Sequence, residues 1–210
     1  MKKKTNWFKK FLTISFIIFM GLYISSISGF YEAKLSNKVA LTDEAIKEFE
    51  KDGELALCGG QIAEFADNPK VITGYRNVPT EHNEILNFVK KRNPFNHMTV
   101  MLKKQAVQSV GGYQHMPYFE DYWLWVRMFK AGYKAKNVDQ VLVKVRAGQE
   151  MIARRGGLNY AMCIIRFEKA LNGIGVINIA EMIGYVTLRS IVSIMPESLR
   201  LWIYGCKLRK

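Results

Sequence analysis

Acidic residues are scarce in this chain. Thirty-one lysines and arginines face 18 aspartates and glutamates, for a net charge of +13 and a pI near 9.6. That balance argues against a cationic partner and for an anionic one: a membrane surface, a nucleic acid or a nucleotide. No signature of RNA or DNA recognition accompanies the charge, and the lysines lie beside apolar runs, so the expected partner is a membrane surface and not nucleic acid. Cysteine is scarce too. Cys58, Cys163 and Cys206 are odd in number and far apart, and no C-x-x-C occurs. That excludes a disulfide framework and a zinc site of the usual spacing, leaving free, partly buried thiols. Apolar residues are not lacking. Hydrophobic side chains make up 49% and aromatics 12% of 210 residues, enough for one ordinary domain with a small appendage.

Residues 1–31 read as a membrane anchor. Lys2, Lys3, Lys4, Lys9 and Lys10 precede an uncharged run from Phe11 to Tyr31, and roughly 20 apolar residues suffice to span a bilayer as a helix. Ser26-Ile27-Ser28 is a small-x-small triplet, so a cleaved signal peptide is the competing reading. In either case the basic flank stays cytoplasmic and the chain from Glu32 onward is exported. Residues 32–58 read as a polar spacer with a short helix. Thr42 is a good N-cap, Leu41 and Ile46 occupy the positions of a hydrophobic staple, and Gly53 can close the helix. Its acids alternate with lysines, which points to a solvated, exposed element.

The most informative stretch runs from Arg92 to Arg127. The pattern predicts a strand at Met98–Leu102, a short helix over Lys104–Val110, a turn at Gly111-Gly112, a loop ending at Pro117, and a second helix opening at Glu120-Asp121. Leu124, Trp125 and Met128 lie three, four and seven residues beyond Asp121, so Asp121 stands at the N-terminal edge of that helix's apolar face. A carboxylate at the rim of a core can serve as a general base. It can equally be ordinary first-turn capping chemistry.

These residues resemble family 2 glycosyltransferases, inverting enzymes with a GT-A fold, and most of all the bacterial ones that build capsular or cell-wall polysaccharide. The resemblance rests on Arg92-Asn93-Pro94-Phe95-Asn96-His97 followed by Met98 to Met101, then Gly111-Gly112-Tyr113, then Glu120-Asp121-Tyr122 with Leu124-Trp125 and Arg127. It extends upstream to Gly59-Gly60-Gln61-Ile62 and downstream through Arg154-Arg155-Gly156-Gly157 to about Tyr204. It implies a nucleotide sugar as donor, a glycan or lipid-linked acceptor, and a divalent metal, manganese or magnesium. It assigns Asp121 as the base that deprotonates the acceptor hydroxyl, with Glu120 orienting or capping, and places His97 near the donor and acceptor pocket. By position alone His97 is as well read as a structural histidine, and His115 lines the acceptor site only by virtue of its loop. The family's donor half, ending in an Asp-x-Asp metal motif, has no counterpart, because no Asp-x-Asp occurs in the sequence.

Around this centre the signals are weaker. Leu55 to Leu57 reads as a short strand, Gln61 to Lys91 as loop-rich with a turn at Asp67-Asn68-Pro69 and a helix over Glu81–Lys90, and Val141 to Arg146 as a strand. Arg146, Arg154 and Arg155 add positive charge; guanidinium groups there can pair with a leaving diphosphate, or simply form a basic loop near a membrane. From Leu158 onward two or three amphipathic helices are expected. Ile179, Ala180, Ile183 and Val186 make one face, and Asn178, Glu181, Tyr185 and Arg189 the other. Such helices lie flat in a headgroup region or pack on the domain as core helices.

The expected architecture is therefore α/β: a partial GT-A domain with a small mixed sheet, an N-terminal transmembrane helix and C-terminal amphipathic helices. Residues 59–150 form the acceptor-side half and residues 151–210 the membrane-surface helices. An open sheet edge implies marginal stability, or a homodimer or complementing chain. The expected function is sugar transfer with inversion at a bacterial cell membrane by a chain truncated in its donor half. The alternative is a non-catalytic, membrane-anchored remnant or a module binding a glycan or partner. An exported domain also sits badly with a donor made in the cytoplasm, which a fusion of unrelated pieces would explain.

Overall fold

The structure is a computed structural model that describes residues 38–147 and 154–200. The expected anchor lies outside the described residues. Among those described, no helix is long and apolar enough to cross a membrane.

The fold is mixed α/β and is built on β1 (Leu55–Phe65), whose 11 residues are all buried. β4 (Lys134–Arg146) runs parallel to β1 along its whole length, from Leu55 opposite Lys134 to Phe65 opposite Arg146. The other edge of β1 is shared by two short antiparallel strands. β2 (Gly74–Arg76) pairs with Ile62 to Glu64, and β3 (Met101–Leu102) pairs with Leu57 and Cys58. A small mixed sheet results, as expected. β1 is longer than the apolar run Leu55–Leu57 suggests, because it continues through Gly59-Gly60. Both glycines are needed there. A Cβ on Gly59 would lie 2.5 Å from Asn137 Oδ1 and 2.9 Å from the Phe95 ring, and one on Gly60 would lie 2.5 Å from Leu142. The strand expected at Met98–Leu102 is mostly a 3-10 turn (His97–Thr99), leaving only two residues for the sheet.

Among the described residues, helices cover this sheet in layers. α1 (Lys38–Lys51) begins before Thr42, so Thr42 is not its N-cap. It is no solvated spacer: Ala45, Ile46 and Phe49 are buried against Leu55, Cys58 and Met101. The apolar i, i+1, i+4 spacing won over the alternating charges, which occupy the outer side. α2 (His82–Phe88) and α3 (Lys104–Ser109) are short and anchored by Ile85, Ala106 and Val107. α4 (Glu120–Lys130) is buried on two sides. Leu124, Trp125 and Met128 face the sheet with Phe95 and Ile85, while Tyr122, Trp123 and Val126 face Phe167 and Leu171 of α5 (Leu158–Gly173). A helix apolar all round is an interior helix, and α4 is the middle layer between the sheet and the α5–α6 hairpin. α6 (Ile179–Ile194) opens with a capping box, in which the Asn178 side chain accepts the Glu181 N–H and Glu181 accepts that of Asn178. Cys58 is buried and Cys163 half-buried, both as free thiols, and burial pushes the Cys58 thiol up to about 12.

Candidate active site

The loop from Arg92 to Thr99 brings the site together. It is fastened to the β1 glycines by a buried polar knot. Asn96 Nδ2 donates to Gly60 O at 2.8 Å, Thr99 Oγ1 accepts the Gly60 N–H at 3.0 Å, and the same hydroxyl donates to Asn96 O at 2.7 Å. Asn137 ties β4 to the same loop, donating to Pro94 O at 3.1 Å and Pro79 O at 2.7 Å. Buried polar groups persist only when they are paired, so this knot gives the loop one conformation.

Arg76, at the end of β2, grips that loop from outside. Its guanidinium donates to Asn96 Oδ1 at 2.8 Å, Asn93 O at 2.9 Å and Phe95 O at 3.3 Å. Burial brings its pKa down to about 10. The charges of Arg92 and Arg155 push the same way, and those of Asp121 and Glu64 oppose. Glu64 is itself buried on β1. Four charged groups from separate segments thus act on Arg76.

Asp121 lies in the first turn of α4, half-buried, with both carboxylate oxygens engaged. Oδ1 accepts the Tyr122 N–H at 2.7 Å and Oδ2 accepts from Asn93 Nδ2 at 2.8 Å. The first bond satisfies a first-turn N–H from inside the helix, whose N-cap, Phe119, has no side-chain cap. The second orients the carboxylate toward the Arg92–His97 loop. His97 sits on the Trp125 ring at 6.1 Å and edge-on to Tyr113 at 6.3 Å. Burial lowers its pKa, and the charge of Asp121 opposes that shift. The chain reaches Asp121 through a strained residue, Tyr118, at φ 69°. A left-handed tyrosine costs about 1–2 kcal/mol, and here it turns the exposed ring against Tyr160, with centroids 5.0 Å apart.

The residues singled out in the sequence are only partly gathered. Asp121 and His97 share one electrostatic neighbourhood, and Arg155 belongs to it through Arg76. Glu120 precedes Asp121 on α4, half-exposed. Arg154 is exposed beside Arg155. His115 is exposed in the loop before Pro117, and no hydrogen bond or ring contact joins it to Asp121 among the described residues. Sequence reasoning missed Arg76 and Glu64 and gave Asn93 no role. Asn93 was visible within the Arg-Asn-Pro-Phe-Asn-His motif, whereas nothing local marks Arg76 or Glu64. As for a metal, no group of three His, Cys, Asp or Glu side chains among the described residues could hold one.

A carboxylate at a loop rim thus shares its surroundings with a histidine and guanidinium groups. Over about three quarters of its length the chain is homologous to proteins named glycosyltransferases. It is 40% identical over 161 residues to an uncharacterized glycosyltransferase of Haemophilus influenzae, a match covering 77% of this chain and 60% of the relative. It is 34% identical over 165 residues to the amylovoran biosynthesis glycosyltransferase AmsE of Erwinia amylovora, covering 77% and 60%. It is also 34% identical over 160 residues to an Escherichia coli UDP-Gal:alpha-D-GlcNAc-diphosphoundecaprenol beta-1,3-galactosyltransferase, covering 76% and 58%. The chain therefore spans about 60% of the length of the curated relatives it matches. No protein-family model matches it.

Proposed function

We propose that this chain carries the acceptor side of an inverting glycosyltransferase of family 2 type with a GT-A fold, acting in bacterial polysaccharide assembly on a glycan or lipid-linked acceptor. The observation that carries the reading is the Asp121–Asn93 hydrogen bond, which orients a carboxylate whose oxygens each keep a second lone pair for an incoming hydroxyl. In the reaction the acceptor oxygen attacks the anomeric carbon of a nucleotide sugar from the face opposite the leaving group. The new C–O bond forms as the bond to the diphosphate breaks. The acceptor proton passes to Asp121, and the nucleoside diphosphate leaves with the electron pair. Arg155 and Arg92, both exposed, would pair with the departing phosphates. Arg76 is committed to the loop and acts by positioning. The donor's nucleotide, and any divalent metal with it, would be held by residues outside those described, by a partner chain or by a second copy.

The relatives' names support sugar transfer, and the E. coli name supports a lipid-linked acceptor. The test is a titration of the purified chain with UDP and manganese, followed by transfer assays with Asp121→Asn. Saturable binding and a loss of roughly 10²–10⁴-fold in transfer for the variant, with its fold intact, are expected. Unchanged transfer would remove Asp121 as the base. The second reading is a non-catalytic module that holds a glycan or partner enzyme. That module would show no nucleotide affinity while folded.

A further inference from the structure

α6 has the two faces that its sequence pattern suggests, but they are turned the other way from a core helix. Arg189 points inward, where it pairs with buried Glu168 and donates to Lys91 O. Tyr185 and Met182 pack on the core with it. The outer side carries Ile179, Ile183, Leu188, Ile191 and Ile194 at 65%, 58%, 65%, 51% and 56% exposure. Ala180, Gly184 and Thr187 are the remaining exposed positions of the helix, so its outer side bears no charge. α5 extends the apolar surface with Leu158 and Met162, 70% and 64% exposed. The helix is capped at its start and packed along its inner side, so this row is a fixed surface.

Length and charge decide what covers it. Sixteen residues at about 1.5 Å each give a rod of about 24 Å, short of the ~30 Å needed to cross hydrocarbon. The element fits along an interface and not through it. The same hairpin and the turn before it expose Arg154, Arg155, Arg166 and Lys169, while of its acids Glu168 is buried, Glu181 caps and only Glu197 is exposed. A basic border around an aliphatic row complements anionic headgroups above acyl chains.

We propose that the outer face of α6 docks flat on an anionic lipid bilayer, with its isoleucines and Leu188 at the headgroup–acyl boundary. The inference stands on α6 and does not require the glycosyltransferase reading. It adds a consequence to it, because Arg189 on the same helix holds Lys91, two residues before the Asn93 that orients Asp121. Docking thus sets the candidate site at the membrane surface.

The full chain, with Cys163 and Cys206 changed to Ser, would be spin-labelled one site at a time at Ile183→Cys, Leu188→Cys and, as a control on α3, Lys104→Cys. Collisions with oxygen and with an aqueous nickel chelate are then compared with and without vesicles of equal parts phosphatidylglycerol and phosphatidylcholine. Whatever else holds the chain to a vesicle, each label reports only its own position. On vesicles the oxygen-to-nickel ratio should rise several-fold at 183 and 188 and stay level at 104. Adding Ile191→Glu to the label at 188 should reverse the rise without changing the melting temperature. Continued nickel access at 183 and 188 would overturn the proposal. So would exclusion of both reagents with dipolar broadening, which would mean that a second copy covers the face.

Discussion

The sheet layer and the α5–α6 hairpin differ in what they leave outside. Around β1 and α4 the interior holds Leu57, Phe95, Leu124 and Trp125 together with Glu64 and the Asn96–Thr99–Asn137 knot, and the lysines stand outside. In the hairpin a glutamate is wholly buried and isoleucines stand outside. The first arrangement is what water imposes on a folded chain. The second marks a surface for something other than water to cover. On the docking proposed above, two neighbouring layers of one chain face two different solvents.

The contrast is sharpest in core truncations. Trp125→Ala, in the middle of the sheet-side core, should cost about 3–5 kcal/mol, read as a lowered urea midpoint. Arg189→Leu comes next, at about 3 kcal/mol, because it strands the Glu168 carboxylate in the interior. Burial already raises the pKa of Glu168, with Arg189 opposing. Pairing that change with Glu168→Leu should recover most of the loss, since well-packed apolar pairs commonly replace buried ion pairs. A double variant as unstable as Arg189→Leu alone would break the comparison. Leu188→Ser, on the outer row, should stay within about 0.5 kcal/mol in solution, as exposed sites do. A cost like that of Trp125→Ala would mean that the row is core after all. The smallest effect is on pH. His97 has a folded pKa below its usual value, so the unfolded chain binds more protons as pH falls through about 6.5. Stability should be full above that pH and decline below it, and His97→Gln should flatten the decline in a pH series of melts.

The sequence made α4 plain, because Glu120-Asp121, the apolar spacing behind them and Gly132 are strong local signals; the helix runs Glu120–Lys130 and Gly132 turns out of it at φ 82°. β4 was half hidden. Val141–Arg146 alternates, but Lys134 to Gln140 is polar and becomes strand only because β1 lies beside it. β1 was hidden by its own glycines, which look like a turn until Asn137 and Leu142 are seen to crowd them. In the site, Asp121 and His97 belong to readable patterns. Arg76 and Glu64 do not, since their meaning depends on the register of β2 with β1 and on a loop arriving from 17 residues away. The faces of α6 were drawn correctly as sets apart from Val186, which is half-buried. Which set faces inward is decided by Glu168 and Lys91, on other elements, and no periodicity within α6 encodes it.

The parallel pairing of β1 with β4 also has a cost in time. Leu55 pairs with Lys134, a separation of 134 − 55 = 79 residues, so the central strand leaves the ribosome long before its main partner exists. At about 5–20 residues per second the wait is about 4–16 s. During it an 11-residue strand that is wholly buried in the finished fold lacks the partner that pairs along its whole length. The nascent chain should therefore be a ready client for chaperones that hold extended apolar segments, and its yield should follow the speed of translation between Phe65 and Lys134.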